Sequence, residues 1–355
     1  MTKSVYVVST GPYSGKSAVC LALALVLRDE GFTVSYMKPV GASLMHLDDG
    51  YTDEDAYVAW NALGIEAPWE YASPVLLTDD LRAAPLEGPV EGLEAKVIEA
   101  HRRLSEGRDV MVMEALGRTF DGQALGLSAP QVAELTDAAV MPVIGYRPDL
   151  DLDSILLTQH LFGDRLIGIV INGAPRRVLE TTSSRLEPFM ERHGLKLFGV
   201  LARDPVLRSV TVGELAEELG GRVLCAEENL GELVETFSLG AMTGDAAFRF
   251  FQRKANKAVI TGGDRSDVIM AALRTSTRCL ILTGNLRPDV RVLGAAADQG
   301  VPMILVKEDT LTTTDKVERA IGHVRLSSPK QIARLKETKS EYWGMVQAVK
   351  EALDL

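Results

Sequence analysis

Along the first two hundred residues, short apolar stretches alternate with longer segments of helical period. Residues 4–8, 32–40, 109–115, 138–146, 166–173 and 195–202 are dominated by Val, Ile, Leu, Met and aromatic side chains without a consistently polar face. Strands apolar on both faces belong inside a parallel sheet covered by helices. Between them, residues 16–30, 91–106, 151–163 and 177–193 read as helices, the first stopped by Gly31. This alternation predicts an α/β fold with helices on both faces of a parallel sheet.

Beyond Pro205 the pattern loosens into short helices and glycine pairs, which places a boundary within residues 204–235. A second, smaller α/β unit follows. Its strands are expected at 257–263, 278–284 and 301–307, and its helices at 264–276, 289–300 and 313–324. The last of these starts at a cap and puts Val317, Ala320, Ile321 and Val324 on one face. The final 25 residues read as an exposed, charged helix. The predicted organisation is thus a first domain over 1–204, a connector over 205–235, a second domain over 236–326 and a C-terminal helix over 327–355.

Composition narrows the function classes. The chain has 355 residues, 46% hydrophobic and 25% charged, with a formal net charge of −11. That balance argues against a non-specific grip on nucleic acid or anionic lipid, so neither partner is expected. Cys20, Cys225 and Cys279 are far apart and match no metal spacing, which suits a reducing compartment. His46, His101, His160, His193 and His323 form no ligating pair. The N-terminus does not read as a signal peptide, and no apolar run has the length of a membrane span. The expected location is the cytoplasm.

The candidate chemistry starts at STGPYSGKS, residues 9–17, between the first strand and the first helix. A strand-to-helix loop points its backbone N–H groups at one place, where the helix dipole adds partial positive charge. Gly15 allows close backbone approach, Lys16 can neutralise β- and γ-phosphates, and the Ser17 hydroxyl can ligate Mg²⁺. Thr10 stands where the usual phosphate-loop spacing has glycine, with Gly11 next. Lys38 follows a strand and precedes Pro39, which puts it at the edge of the sheet where ligands bind, as a phosphate-stabilising group or as a surface lysine. Glu114 ends an apolar strand, where a carboxylate calls for a cation. Asp55 is either a metal ligand or part of a solvated acidic face with Asp53 and Glu54, and Asn172 either meets a base or caps a loop.

These segments, in this order, resemble the dethiobiotin synthetase and cobyrinic acid diamide synthase superfamily over the first 200 residues. The loop has that family's length and ends in Gly-Lys before a hydroxyl residue, so the resemblance implies a nucleotide site of Thr10, Gly11, Ser14, Gly15, Lys16 and Ser17. YMKPV (36–40) makes Lys38 the counterpart of the family's catalytic lysine beside Lys16. DEDAYVAW (53–60) and VMVMEALG (110–117) make Asp55 and Glu114 metal ligands with Ser17, and GIVING (168–173) puts Asn172 at the adenine. ATP and Mg²⁺ are the implied cofactors, and a homodimer the implied assembly. Two departures stand out. Glu114 is followed by Ala115, Leu116 and Gly117 instead of Gly-Ala-Gly, and KPVGAS alters the segment that shapes the acceptor pocket. A dethiobiotin-like acceptor is therefore not expected.

VITGGDRSDVIMAAL and the segments after it resemble the DRTGG domain, with Gly263, Asp264 and Arg265 as ligand candidates. Gly262 and Gly263 at a strand end, then Asp264 as N-cap, make a helix start able to hold an anion, and 282–285 and 307–310 end neighbouring strands on the same edge. Well-made turns without a ligand fit the same residues. The order of the two domains resembles the N-terminal region of long phosphotransacetylases without the acetyltransferase domain, so acetyl transfer is not expected. Two functions remain. One is an ATP-dependent enzyme that phosphorylates a carboxylate or carbamate acceptor. The other is a regulatory module that binds nucleotide, hydrolyses it slowly or not at all, and senses a small-molecule effector or contacts an enzyme partner.

Overall fold

The computed structural model describes residues 2–48, 50–322, 326 and 328–355. Val324, expected on a helix face, lies outside them, as does His323. The chain divides into two compact units. The first takes Met1–Asp204 together with Pro329–Leu355, and the second takes Pro205–Ser328.

The first unit is built on six strands: β1 (Lys3–Val8), β2 (Val34–Met37), β3 (Val110–Glu114), β4 (Ala139–Gly145), β5 (Ile169–Ala174) and β6 (Leu197–Ala202). They lie in the order β6-β5-β4-β1-β3-β2 and every pairing is parallel. Val5, Val7, Val110, Val112, Met111, Met113, Val140 and Met141 are wholly buried, as strands apolar on both faces require. Flanking helices include α1 (Lys16–Asp29), α2 (Glu54–Leu63), α3 (Leu93–Ser105) and α4 (Leu179–Arg192). From β1 the chain runs toward β2 at one edge, and from β4 toward β6 at the other. The connections therefore diverge between adjacent β1 and β4, which is where such sheets open a ligand crevice at their carboxyl ends.

α1 follows from its sequence. Val19 to Leu27 are all buried, and Gly15 turns the chain into the helix from a left-handed conformation at φ 86°. The helix ends where Gly31 at φ 95° lets its N–H reach the Arg28 carbonyl. The C-terminal residues differ from the exposed charged helix expected of them. They form two helices, Pro329–Thr338 and Trp343–Leu353, that bury Leu335, Met345, Val346, Val349 and Leu353. Gln347 and Lys350 bind Glu30 at the end of α1, and Arg334 Nε donates to Asp204 Oδ2 at 2.8 Å.

The second unit has a five-stranded sheet of β7 (Arg222–Val223), β8 (Thr236–Leu239), β9 (Lys257–Gly262), β10 (Thr277–Thr283) and β11 (Met303–Leu305), in the order β7-β11-β10-β9-β8. Only β7 is antiparallel. Side chains alternate between two cores as the strand period demands. Val259, Leu280 and Leu282 face helices Gly244–Phe251, Ser266–Leu273 and Val290–Asp298, while Ala258, Ile260, Cys279 and Ile281 face helices Val212–Glu218 and Thr310–Gly322. Residues 205–235 thus supply a core helix and an edge strand where a connector was expected. The last helix starts three residues earlier than expected because the Asp309 carboxylate caps the N–H groups of Leu311 and Thr312.

Lys257, at the start of β9, is wholly buried. Its ammonium donates to Lys254 O at 3.1 Å, Thr275 Oγ1 at 2.9 Å and Ser276 O at 2.9 Å. Burial pulls it from 10.5 down to about 8. Between those values the unfolded chain holds more protons than the folded one, so Lys257 makes stability rise with pH across that window, and its destabilising effect is complete once pH has fallen below about 8. Urea unfolding of the full chain followed from pH 7 upward should show this rise in the second unit's transition, and Lys257→Met should flatten it. An unchanged slope in the variant would contradict the assignment.

Candidate functional site

The loop between β1 and α1 is pinned from both sides. Ser9 Oγ donates to Gly11 O at 2.6 Å, and Thr119 Oγ1 donates to Ser9 O at 2.9 Å. Asn172 Nδ2, from β5, donates to Ser14 O at 2.8 Å. A Cβ on Gly15 would stand 2.3 Å from that same Nδ2, so the glycine is required by space as well as by its left-handed backbone. Gly11 has open space around it and no positive φ, so its backbone does not demand glycine. Thr10 is half-buried beside it. The Ser14 hydroxyl is buried without a hydrogen-bond partner, an uncompensated polar group at the point where a ligand's oxygen would satisfy it.

Lys16 is buried and its Nζ donates to Gly117 O at 2.8 Å. Burial lowers its affinity for the proton, with Glu114 opposing that effect. Ser17 Oγ donates to Glu114 Oε1 at 2.7 Å, and Tyr36 OH donates to Glu114 Oε2 at 2.7 Å. Both oxygens of a carboxylate at the end of a central strand are thereby occupied by hydroxyl donors. Burial, then the neighbouring Asp55, push the Glu114 carboxyl above its usual range, against the pull of Lys38, Ser17 and Tyr36.

Lys38 lies just past β2, as expected, but buried rather than on the surface. Its ammonium pairs with Asp53 Oδ1 at 2.7 Å and with the Asp55 carboxylate. Burial disfavours its charge, yet Asp55, Glu114 and Asp53 outweigh burial and hold it above the usual lysine range. Asp53 is wholly buried and caps α2, accepting from Asp55 N at 2.9 Å. Its other oxygen accepts from Ala42 N at 2.9 Å and Ser43 N at 3.0 Å. A Cβ on Gly41 would lie 2.6 Å from Asp53 Cβ, so the glycine in KPVGAS lets this carboxylate seat.

The fold therefore brings Ser14, Gly15, Lys16, Ser17, Lys38, Asp55, Glu114 and Asn172 to the carboxyl edge of one sheet. Sequence reasoning did not single out Tyr36 or Asp53 as site residues. Asp53 carried a readable signal, an acidic residue directly before a helix. Tyr36 carried only a hydroxyl within an apolar strand. Ser17, Glu114 and Asp55 supply hard oxygen donors, the chemistry Mg²⁺ takes, and a cation completed by phosphate oxygens and water needs no larger protein cage. Among the described residues no group of three or more His, Cys, Asp or Glu is placed to hold a metal by itself.

In the second unit, Gly263 lies so close to the Leu286 carbonyl that a Cβ would stand 1.7 Å from it. The glycine serves that close approach. Asp264 is exposed and is not the N-cap. Arg265 takes that position, with no side-chain cap, and its guanidinium donates to Met242 O at 2.6 Å and pairs with Asp267. The loops after β10 and β11 are stitched together by Gly284 N to Glu308 O at 2.7 Å and Asn285 N to Val306 O at 2.8 Å. The strand order β8-β9-β10-β11 is sequential, so the parallel part of this sheet has no point of divergence to open a crevice.

A strand, a phosphate loop ending in Gly-Lys-Ser and a helix, set at the divergence point of a parallel sheet, define a P-loop domain of the nucleotide-binding type. The model of the AAA domain family matches residues 3–211, and the chain belongs to that family; the DRTGG domain model matches residues 214–320. The chain is 24% identical to phosphate acetyltransferase of Pseudomonas putida over 85% of this chain and 45% of that protein. It is 22% identical to phosphate acetyltransferase of Deinococcus radiodurans over 94% of this chain and 49% of that protein. It thus spans about half the length of these relatives. The ATP-dependent dethiobiotin synthetase BioD 2 of Escherichia coli is 27% identical over 48% of this chain and 74% of that enzyme. Among solved structures, the CBS and DRTGG domains of the regulatory region of Clostridium perfringens pyrophosphatase, complexed with the activator diadenosine tetraphosphate, align at 14% identity with a TM-score of 0.30, over 44% of this chain and 75% of that one.

Gly15→Ala is expected to cost about 1–2 kcal/mol from the left-handed backbone alone, and more from the contact with Asn172. Denaturation of Gly15→Ala, Asn172→Ala and the double variant measures the coupling. The double variant should recover part of the loss, and strictly additive losses would contradict the clash.

Proposed function

We propose that the first unit binds a purine nucleoside triphosphate with Mg²⁺ and that the chain works as a nucleotide-responsive regulatory module rather than as a synthetase. The observation that carries nucleotide binding is the Ser17–Glu114 contact beside buried Lys16, a hydroxyl, a carboxylate and an ammonium set at the start of a helix. Lys16 would leave Gly117 O for the β- and γ-phosphates, the Ser14 hydroxyl would gain its missing partner, and Asn172 would border the base. Ser17, Glu114 and Asp55 would hold Mg²⁺, which when bound neutralises phosphate charge.

The acceptor segment favours regulation over synthesis. In KPVGAS, the N–H groups of Ala42 and Ser43 are spent on Asp53 Oδ2, so they are not offered to an acceptor carboxylate. The resemblance over most of the chain to part of the phosphate acetyltransferases supports the same reading, with the DRTGG unit taking a small-molecule effector or an enzyme partner. A homodimer is part of the proposal. Cys20, Cys225 and Cys279 are free, which suits the cytoplasm, and no helix among the described residues is long and apolar enough to cross a membrane. A second reading, phosphorylation of a carboxylate or carbamate acceptor, is favoured by one observation: Lys38 is buried at the same sheet edge, where its charge can meet a transferring phosphoryl group.

Calorimetric titration of ATP and a non-hydrolysable analogue with Mg²⁺, with phosphate release followed in parallel, separates these readings. Micromolar binding that weakens about tenfold or more in Lys16→Ala, with release near background, is the expected result. Turnover that depends on Glu114 would favour the acceptor enzyme, and absence of binding would overturn both.

A further inference from the structure

The phosphate site as it stands is set against its own ligand. Three carboxylates, Asp53, Asp55 and Glu114, face two ammonium groups, Lys16 and Lys38. With the carboxylates ionised, a triphosphate would enter a site with no net positive charge. Both lysines are also engaged, Lys16 on Gly117 O and Lys38 on two carboxylates. Those two carboxylates are not equivalent. Asp53 accepts from Lys38, Ala42 N, Ser43 N and Asp55 N, is wholly buried, and is the fixed centre to which the 41–43 segment and the start of α2 are tied. Asp55 stands in the first turn of α2 and retains some exposure, with Lys38 against its carboxylate.

We propose that Asp55 is an electrostatic gate: it holds Lys38 as an internal counter-ion until a divalent cation takes its carboxylate, and only then is Lys38, still positioned by Asp53, released to the terminal phosphate. This deepens the nucleotide-binding reading and rests on it. Lys38 keeps its contact with Asp53 throughout, so the lysine does not have to search for its place. The cation changes the balance of charge at the site and the number of partners on Lys38 in one exchange. Nucleotide and metal binding are then strongly coupled, and the same carboxylate that aids binding with metal opposes it without metal.

The test is titration of a non-hydrolysable ATP analogue into the full chain, once with Mg²⁺ and once with EDTA, for the wild type and for Asp55→Asn. Circular dichroism melts check that each variant is folded. Wild type should bind with Mg²⁺ and at least about tenfold more weakly in EDTA, and Asp55→Asn should bind the metal-free analogue at least about tenfold more tightly than wild type does, since one unit of negative charge near the phosphates is gone. The variant should also lose most of the Mg²⁺ enhancement. A residue that only supported the fold would weaken binding under both conditions, and that result overturns the gate. Wild-type binding of equal strength with and without metal also overturns the gate while leaving the nucleotide site standing. Absence of wild-type binding under either condition overturns the nucleotide site itself. Should Asp55→Asn fail to fold, Asp55→Ser is read in the same way, and the wild-type comparison stands alone.

Discussion

Charge that cannot reach water has to be matched inside the protein, and the first unit is arranged around that requirement. Lys16, Lys38, Asp53 and Glu114 are all buried, and Asp55 nearly so. Removing one partner from a buried ion pair typically costs about 3–5 kcal/mol, because the other charge stays behind uncompensated. Each of these groups therefore constrains the next. Glu114 fixes Ser17 and Tyr36, Asp53 fixes Lys38, Gly41–Ser43 and the start of α2, and Lys16 is left to a backbone carbonyl of the loop that follows β3. Matched internally, the cluster is stable, and its hydroxyl, carboxylate and ammonium groups are the ones a phosphate and a hard cation would recruit.

The sheet makes this arrangement affordable in space. β1, β2 and β3 are neighbours or next neighbours in the sheet although they are spread over a hundred residues of chain, so their carboxyl ends deliver Ser17, Lys38 and Glu114 to one edge. β5 delivers Asn172 from the other side of the divergence point, where its amide closes on the Ser14 carbonyl. The rigidity comes from strands buried on both faces, and the specificity comes from loops whose backbone donors are already assigned.

Much of this was legible in the sequence because its signals are local. Gly15, Lys16 and Ser17 sit directly between an apolar strand and an apolar helix, and Glu114 interrupts an apolar run at its end, so both were readable from a few neighbouring residues. Tyr36 was not, since it meets Glu114 across a strand pairing, and of Asp53 only the helix-cap position was, because its pairing with Lys38 lies across a hairpin, Leu44–Leu47 with Gly50–Asp53, that no alternation announced. The C-terminal helices were misread as exposed because their lysines and glutamates hide a helical stripe of Met345, Val346, Val349 and Leu353. At Gly263 the sequence left an anion-holding helix start and a plain turn equally open, and the space constraint there, the approach of the Leu286 carbonyl, comes from a loop more than twenty residues away.

The most direct measurement is a crystal structure of the full chain with Mg²⁺ and a non-hydrolysable ATP analogue. The expected result is that Lys16 Nζ exchanges Gly117 O for a phosphate oxygen, Ser17 Oγ exchanges Glu114 for the metal, and the strands beneath them stay in place. An analogue bound elsewhere, with the Lys16–Gly117 and Ser17–Glu114 contacts intact, would contradict a phosphate site at this loop.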